Sequence, residues 1–122
     1  MNETEETEAL LGRLTAWGCD IPSALPRFLD DKGMYAMFVK QVVDEPSFTL
    51  LGQAIQEGDA KAAFEKAHEL KGVVANMSLT PLFNRVVLIV EPLRAGKWTD
   101  VKENYGKLTE EWGEFRNLVN GR

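Results

Sequence analysis

The sequence predicts an all-α protein, an antiparallel up-down four-helix bundle with one or two short N-terminal covering helices. No segment shows the strict polar–apolar alternation of a half-buried strand. Short segments rich in Gly, Pro and Thr separate the periodic stretches, and short connections place successive helices antiparallel. Apolar residues recur at steps of three and four, most regularly in the last helix, at Val101, Tyr105, Leu108, Trp112, Phe115 and Val119.

The N-terminal part, about residues 4–29, is expected to supply the covering helices. Thr4 to Trp17 has the pattern of an amphipathic helix, and its acidic first turn complements the helix dipole. Gly18 is a natural end for that helix. Asp20 can cap a second short helix, in which Pro22 lies near the first turn.

The bundle is expected over about residues 32–119. Its first segment follows a cap at one of the two aspartates of 30–31. Pro46 interrupts the apolar pattern of that segment, so either one kinked helix or two consecutive helices would satisfy it. Gly58-Asp59 combines a helix terminator with a helix cap, and the next helix is expected over about 60–77.

Cap and terminator residues also mark the ends of the remaining two helices. Thr80 can cap a helix that has Pro81 at its first position and ends near Arg94. Ala95-Gly96 terminates this helix, and the last helix begins around 98–100. The expected core face of the helix that starts at Pro81 is Leu82, Val86, Ile89 and Leu93.

Composition sets limits on what the protein can be. A chain of 122 residues with 44% hydrophobic residues is one domain, long enough for a single core. The net charge of −5 disfavours nucleic acid and anionic membranes as partners. The single cysteine, Cys19, excludes an intrachain disulfide and fits a reducing cytosol. We therefore expect a soluble protein of the cytoplasm.

The segment 67–77 contains the only histidine of the chain, His68. A helix there places this histidine at the border of an apolar stripe, with a partly exposed ring. Lys71 and Gly72, three and four residues later, share its face. A neutral imidazole is a nucleophile, and a neighbouring cation offsets the charge of an incoming phosphoryl group. The expected stripe is Ala60, Ala63, Ala67, Leu70, Val74 and Met77.

Gly72 asks for an explanation, because a glycine within a helix costs about 1 kcal/mol relative to alanine. Close approach of a partner's backbone or phosphate would supply one. A tight contact between two helices of this chain would supply another, and the sequence leaves both open.

The segment Ala67-His68-Glu69-Leu70-Lys71-Gly72, continued by 75–82, resembles the signature of histidine phosphotransfer (HPt) domains. These are helical modules of multistep two-component phosphorelays. The resemblance extends from about Gly18 to about Leu118 and includes Gly58-Asp59 before the histidine helix. It departs from the family at three positions: Ser78 replaces a usual glycine, Val90 a frequent Gln or Glu that orients the ring, and Arg85 a commonly apolar residue.

The resemblance implies a phosphocarrier and not a stand-alone kinase. His68 would accept a phosphoryl group from an aspartate of a response-regulator receiver domain and pass it on. Lys71 would stabilise the phosphoryl charge, and Gly72 would allow the partner to approach. The expected partners are receiver domains and a hybrid histidine kinase. The chain would need no cofactor of its own, Mg²⁺ being held by the receiver, and it lacks a Gly-rich loop for ATP.

Two further expectations concern the surroundings of His68. A hydrogen-bond acceptor should orient the ring, and Glu91 and Asn84 are the nearest candidates in the sequence. A water or a backbone carbonyl would serve as well. The expected receiver-docking surface is formed by Phe64, Glu65, Ala75, Phe83, Val87 and Val90.

A rival hypothesis is an HPt-like helical interaction module that binds a receiver or another signalling protein without phosphotransfer. Val90 and Ser78 keep it open. A metalloenzyme is a distant third hypothesis, because one histidine and scattered carboxylates give no ligand spacing. The initial methionine and the full-length bundle favour a stand-alone protein over a domain of a hybrid kinase. Cognate partners and the direction of phosphate flow are not written in the sequence.

Overall fold

Caps and turn residues divide the chain into seven α-helices and one short 3-10 turn, with no strand. The computed structural model describes residues 1–122. The predicted all-α class is confirmed. In chain order the elements are α1 (Glu3–Trp17), α2 (Ile21–Ala24), the 3-10 turn (Leu25–Phe28), α3 (Lys32–Val42), α4 (Pro46–Glu57), α5 (Ala60–Asn76), α6 (Thr80–Arg94) and α7 (Val101–Val119).

The helices pack mainly against their neighbours in the chain. Helices α4, α5, α6 and α7 pack in succession, and α4 also contacts α7. Helix α1 packs against α2, α3 and α7. Together they enclose one apolar core of 29 buried residues. Each fully buried aliphatic side chain contributes about 1.5–3 kcal/mol relative to an exposed one, so this core is the main favourable term in folding.

Helix boundaries follow the side chains that satisfy free backbone N–H groups. The Asp31 carboxylate accepts a hydrogen bond from the Met34 amide at 3.0 Å, and Asp59 accepts one from the Ala62 amide at 3.0 Å. Gly58 ends α4 with a φ of 70°, in the left-handed region that glycine adopts readily. The expected cap at Thr80 is wrong, because α6 already begins at that residue.

The interruption at Pro46 produces two helices and not one kinked helix. Pro46 occupies the first turn of α4, where its missing N–H costs nothing. Helix α3 then packs against α1 and the 3-10 turn. Its buried face is Tyr35, Ala36, Val39 and Val42. The spacing of Met34, Phe38 and Val42 in the sequence predicts that Phe38 faces the core, and this prediction is wrong, since the side chain is 38% exposed.

Two tyrosine hydroxyls join helices across the core. Tyr35 on α3 donates a buried hydrogen bond of 2.8 Å to the Met77 carbonyl at the C-terminal end of α5. Tyr105 on α7 donates one of 2.9 Å to the Phe48 carbonyl on α4. Gly52 makes this second contact possible, because a Cβ there would collide with the Tyr105 hydroxyl. None of the seven α-helices combines the length and the apolar composition that a membrane-spanning segment needs.

We predict that Tyr35→Phe lowers the free energy of unfolding by about 1–2 kcal/mol, because it leaves a buried carbonyl without a donor. Urea unfolding followed by circular dichroism measures the change. Tyr105→Phe is the matched control. It removes the donor to the Phe48 carbonyl, and because this hydrogen bond is less buried than that of Tyr35, the loss should be about 0.5–1 kcal/mol. Equal losses for the two variants would show that burial of the Met77 carbonyl does not determine the size of the effect.

Candidate functional site

Helix α5 carries the candidate site on the side that faces away from the core. Its inner side consists of small and branched apolar residues packed between α4 and α6. The opposite side presents His68 and Gly72, both exposed. The apolar stripe predicted from the sequence is confirmed at Ala63, Ala67, Leu70, Val74 and Met77, which are buried.

The imidazole of His68 lies against the ring of Phe64, one helical turn earlier. The two ring centroids are 5.7 Å apart and the ring planes differ by 21°, a stacked arrangement. No protein group forms a hydrogen bond with the imidazole. The two acceptors expected from the sequence, Glu91 and Asn84, do not bond to it. Stacking on Phe64 is therefore the contact that defines the ring's position.

A small ionic network on α5 and α6 lies next to this stack. The Lys71 ammonium is 4.0 Å from one Glu91 carboxylate oxygen, and the Arg94 guanidinium is 3.5 Å from the other. Arg94 also lies over the Phe64 ring, 5.3 Å from its centroid. The network thus has two cations and one anion. Ion pairs this exposed are worth about 0–1 kcal/mol, so Lys71 is free to exchange Glu91 for another anion.

Gly72 is exposed, and a Cβ built on it would meet no atom within 4 Å. A tight contact between helices therefore does not explain this glycine. Gly106 on α7 has the same open surroundings within a helix. An open helical glycine is thus not distinctive by itself. What sets Gly72 apart is its place four residues after the only histidine, on the same exposed face.

The structure contradicts the expected docking surface at one of its six residues. Val90 is fully buried, so its assignment to a docking surface is wrong. Helix α6 packs against α5 on one side and α7 on the other, and the contacts cover a wider stripe than the sequence pattern indicated. Five of the six residues keep accessible surface: Glu65 is exposed, and Phe64, Ala75, Phe83 and Val87 are half-buried. Leu88 is the exposed large apolar residue of α6.

The thiol of Cys19 and the phenol of Tyr35 are unsuited to reaction with a partner. Cys19 is buried, and burial raises the pKa of its thiol to about 12. Burial likewise raises the pKa of the Tyr35 phenol above its ordinary range. Both groups therefore stay protonated at neutral pH, and a protonated buried thiol is inert. The imidazole of His68, in contrast, is exposed.

The turn after α5 fixes the end of the histidine helix. Ser78 has a φ of 53°, in the left-handed region, where a non-glycine residue is strained. Its carbonyl accepts a hydrogen bond of 3.1 Å from the Asp20 amide. Arg27 donates to the Asn76 carbonyl at 3.0 Å. The positive φ gives the physical reason for expecting glycine at this position.

Arg85 is accommodated by polar partners on α7. Its Nε contacts the Glu111 carboxylate at 2.5 Å, and its Nη1 donates to the Asn104 side-chain oxygen at 2.9 Å. All three side chains are partly buried between α6 and α7. This network explains how a charged residue occupies a position expected to be apolar, and it places Arg85 on the side of α6 away from His68.

Sequence reasoning missed the roles of Arg94 and of the Phe64 ring in this site. The signals were present as spacings, four residues from Phe64 to His68 and three from Glu91 to Arg94, both of which bring side chains together on a helix. The contact between Arg94 and Phe64 joins two helices and has no such local signal.

No group of three or more His, Cys, Asp or Glu residues is arranged to hold a metal ion.

Comparison with known proteins returned no match, whether to a family model, a curated protein or a solved structure. Fold and site together define an all-helical protein with one solvent-facing histidine, stacked on a phenylalanine, beside a lysine and an open glycine.

We predict that Ser78→Gly raises the free energy of unfolding by about 0.5–1 kcal/mol, because glycine removes the left-handed backbone strain at this turn. Urea unfolding measures the gain. Ser78→Ala, which keeps the strain and loses the hydroxyl, is the control and should be neutral or slightly destabilising. A gain of the same size for alanine would show that backbone strain is not the cause.

Proposed function

We propose that this protein is a histidine phosphotransfer protein of a multistep phosphorelay. His68 accepts a phosphoryl group from a receiver-domain aspartate and passes it to another receiver. The observation that carries the proposal is the grouping on one exposed helix face of the chain's only histidine, a lysine one turn away and a glycine that nothing in the chain covers. The resemblance of residues 67–82 to the HPt signature adds to this support.

In the proposed reaction, a ring nitrogen of neutral His68 attacks the phosphorus of the aspartyl phosphate. The N–P bond forms as the P–O bond breaks, and the receiver's carboxylate is the leaving group. Such transfers pass through a loose, in-line transition state with negative charge on the equatorial oxygens. Lys71 leaves its weak pair with Glu91 and offsets that charge. Mg²⁺ is proposed to be held by the receiver.

The proposal also covers the finer features of the fold and setting. Helices α4 to α7 would form the up-down four-helix bundle, with the N-terminal helices covering one end. The protein would act as a monomeric phosphocarrier in the cytoplasm, without ATP, a cofactor of its own or nucleic acid. Its partners would be response-regulator receivers and a hybrid histidine kinase. They would dock on the accessible surface around His68, formed by Glu65, Ala75, Phe83 and Val87.

The second candidate function is an interaction module that binds a receiver without phosphotransfer. One observation favours it: no protein group accepts a hydrogen bond from the His68 ring, and the buried side chain of Val90 cannot. In this case the same surface would bind the partner, and His68 would have no chemical role.

The test is phosphotransfer from a panel of phosphorylated receivers of the same cell to the wild type and to His68→Gln. We expect label on the wild type alone, in an acid-labile and base-stable form, as phosphohistidine is. Pull-down of the same receivers separates binding from transfer. Binding without any transfer would overturn the phosphocarrier in favour of the interaction module, and label on both proteins would exclude His68 as the acceptor.

We further predict that Gly72→Ala stabilises the isolated protein by about 1 kcal/mol, because alanine is the better helix former and its Cβ meets nothing. The same change should slow phosphotransfer at least tenfold, because the methyl group occupies the space that the partner needs. Gly106→Ala is the matched control, with a similar gain in stability and unchanged transfer. Unchanged transfer in Gly72→Ala would refute the proposed role of this glycine.

A further inference from the structure

We propose that Phe64 is a positioning residue for the phosphoryl acceptor: its ring holds the imidazole of His68 in the orientation from which it attacks. The inference rests on the proposed function and adds to it a role that docking alone does not give. The sequence had placed Phe64 on the receiver-docking surface. Its contacts in the structure favour a different task.

The rings of His68 and Phe64 are in direct contact. Long side chains in a helix point back toward its N-terminus, so a side chain at position 68 lies over the turn that carries position 64. The rings of His68 and Phe64 are nearly parallel, with centroids 5.7 Å apart. This contact covers one face of the imidazole. The two nitrogens and their lone pairs lie in the plane of the ring, so stacking restrains the ring without blocking attack.

Phe64 itself is held in place by contacts on two sides. It is half-buried and packs against the apolar core. The Arg94 guanidinium lies over its ring at 5.3 Å from the centroid, a cation–π contact. Arg94 is in turn paired with Glu91. A side chain supported by the core and by a cation on the neighbouring helix is a firm platform for an exposed ring.

No hydrogen bond from the protein restrains the His68 ring. The imidazole is exposed and forms no hydrogen bond with the protein, and an exposed side chain changes rotamer in picoseconds to nanoseconds. Reacting atoms must be held near 3–3.5 Å and aligned, and a misplacement of about 1 Å can cost 100-fold in rate. Stacking on Phe64 is the restraint that this structure supplies.

The test compares Phe64→Leu, which keeps an apolar side chain without a ring face, with Phe64→Tyr, which keeps the ring. The chain has one histidine, so the two imidazole C–H resonances in a proton NMR spectrum belong to His68 without ambiguity. We expect both resonances to move in Phe64→Leu and to stay near wild type in Phe64→Tyr. Contacts between the two rings in a nuclear Overhauser spectrum should follow the same pattern.

Phosphotransfer kinetics with a phosphorylated receiver supply the second readout. Phe64→Leu should lower kcat about tenfold with KM within twofold of wild type, and Phe64→Tyr should restore kcat. A raised KM with unchanged kcat would make Phe64 a docking residue and overturn the inference. If Phe64→Leu does not fold, Arg94→Met is measured in its place, because it removes the cation–π contact that supports the Phe64 ring. Unchanged His68 resonances and an unchanged kcat in Arg94→Met would also overturn the inference.

The two proposals fail in different ways. A wild type that transfers normally, with a Phe64→Leu variant equal to it in kcat and in the His68 resonances, would leave the phosphocarrier standing and remove the positioning role. A wild type that accepts no phosphoryl group would remove the phosphocarrier and with it the catalytic meaning of the stack.

Discussion

The contact of α5 with α4 on one side and α6 on the other is the constraint from which the candidate site follows. Helix α5 has one apolar stripe, and alanines at 63 and 67 make its inner surface narrow and flat. A helix of period 3.6 that buries this stripe must turn the opposite face to solvent. His68, Gly72 and Glu65 lie on that face, so the site needs no loop and no cavity. It is held on a rigid element supported from both sides.

Hydrogen bonds from other segments of the chain hold the C-terminal end of α5. Tyr35 and Arg27, from two different N-terminal segments, donate to carbonyls at the last turn, and the Ser78 carbonyl accepts from the Asp20 amide. The four terminal carbonyls of a helix have no partner within it, and buried ones must find donors elsewhere. The N-terminal segments therefore do more than cover apolar surface, because they supply donors that the histidine helix lacks.

Much of the fold was accessible from the sequence, because its signals are local. Helix ends at Gly18 and Gly58 and caps at Asp31 and Asp59 depend on a few adjacent residues, and the structure has them as predicted. The buried stripe of α5 follows from periodicity alone. Val90 and Phe38 were misassigned because burial of a second stripe depends on which helices flank it. The pairing of Arg85 with Glu111 and the contact of Arg94 with Phe64 were also beyond reach, since contacts between helices leave no trace in spacing.

Three residues in and beside the site, Gly72, Ser78 and Lys71, depart from what stability alone would select. Gly72 lowers the stability of its helix although no close contact requires a glycine there, and Ser78 adopts a strained positive φ in the turn that follows. Lys71 is held by a carboxylate at 4.0 Å, a distance at which little is lost when the pair separates. The aromatic platform of Phe64 is the exception, since it is supported from the core. A ring supported by the core beneath the histidine, with a weakly paired cation and an uncovered glycine beside it, supports the proposal of a positioned nucleophile with room for a phosphoryl group. This combination favours chemistry at His68 over simple binding, because a binding surface alone would need neither the platform nor the open glycine.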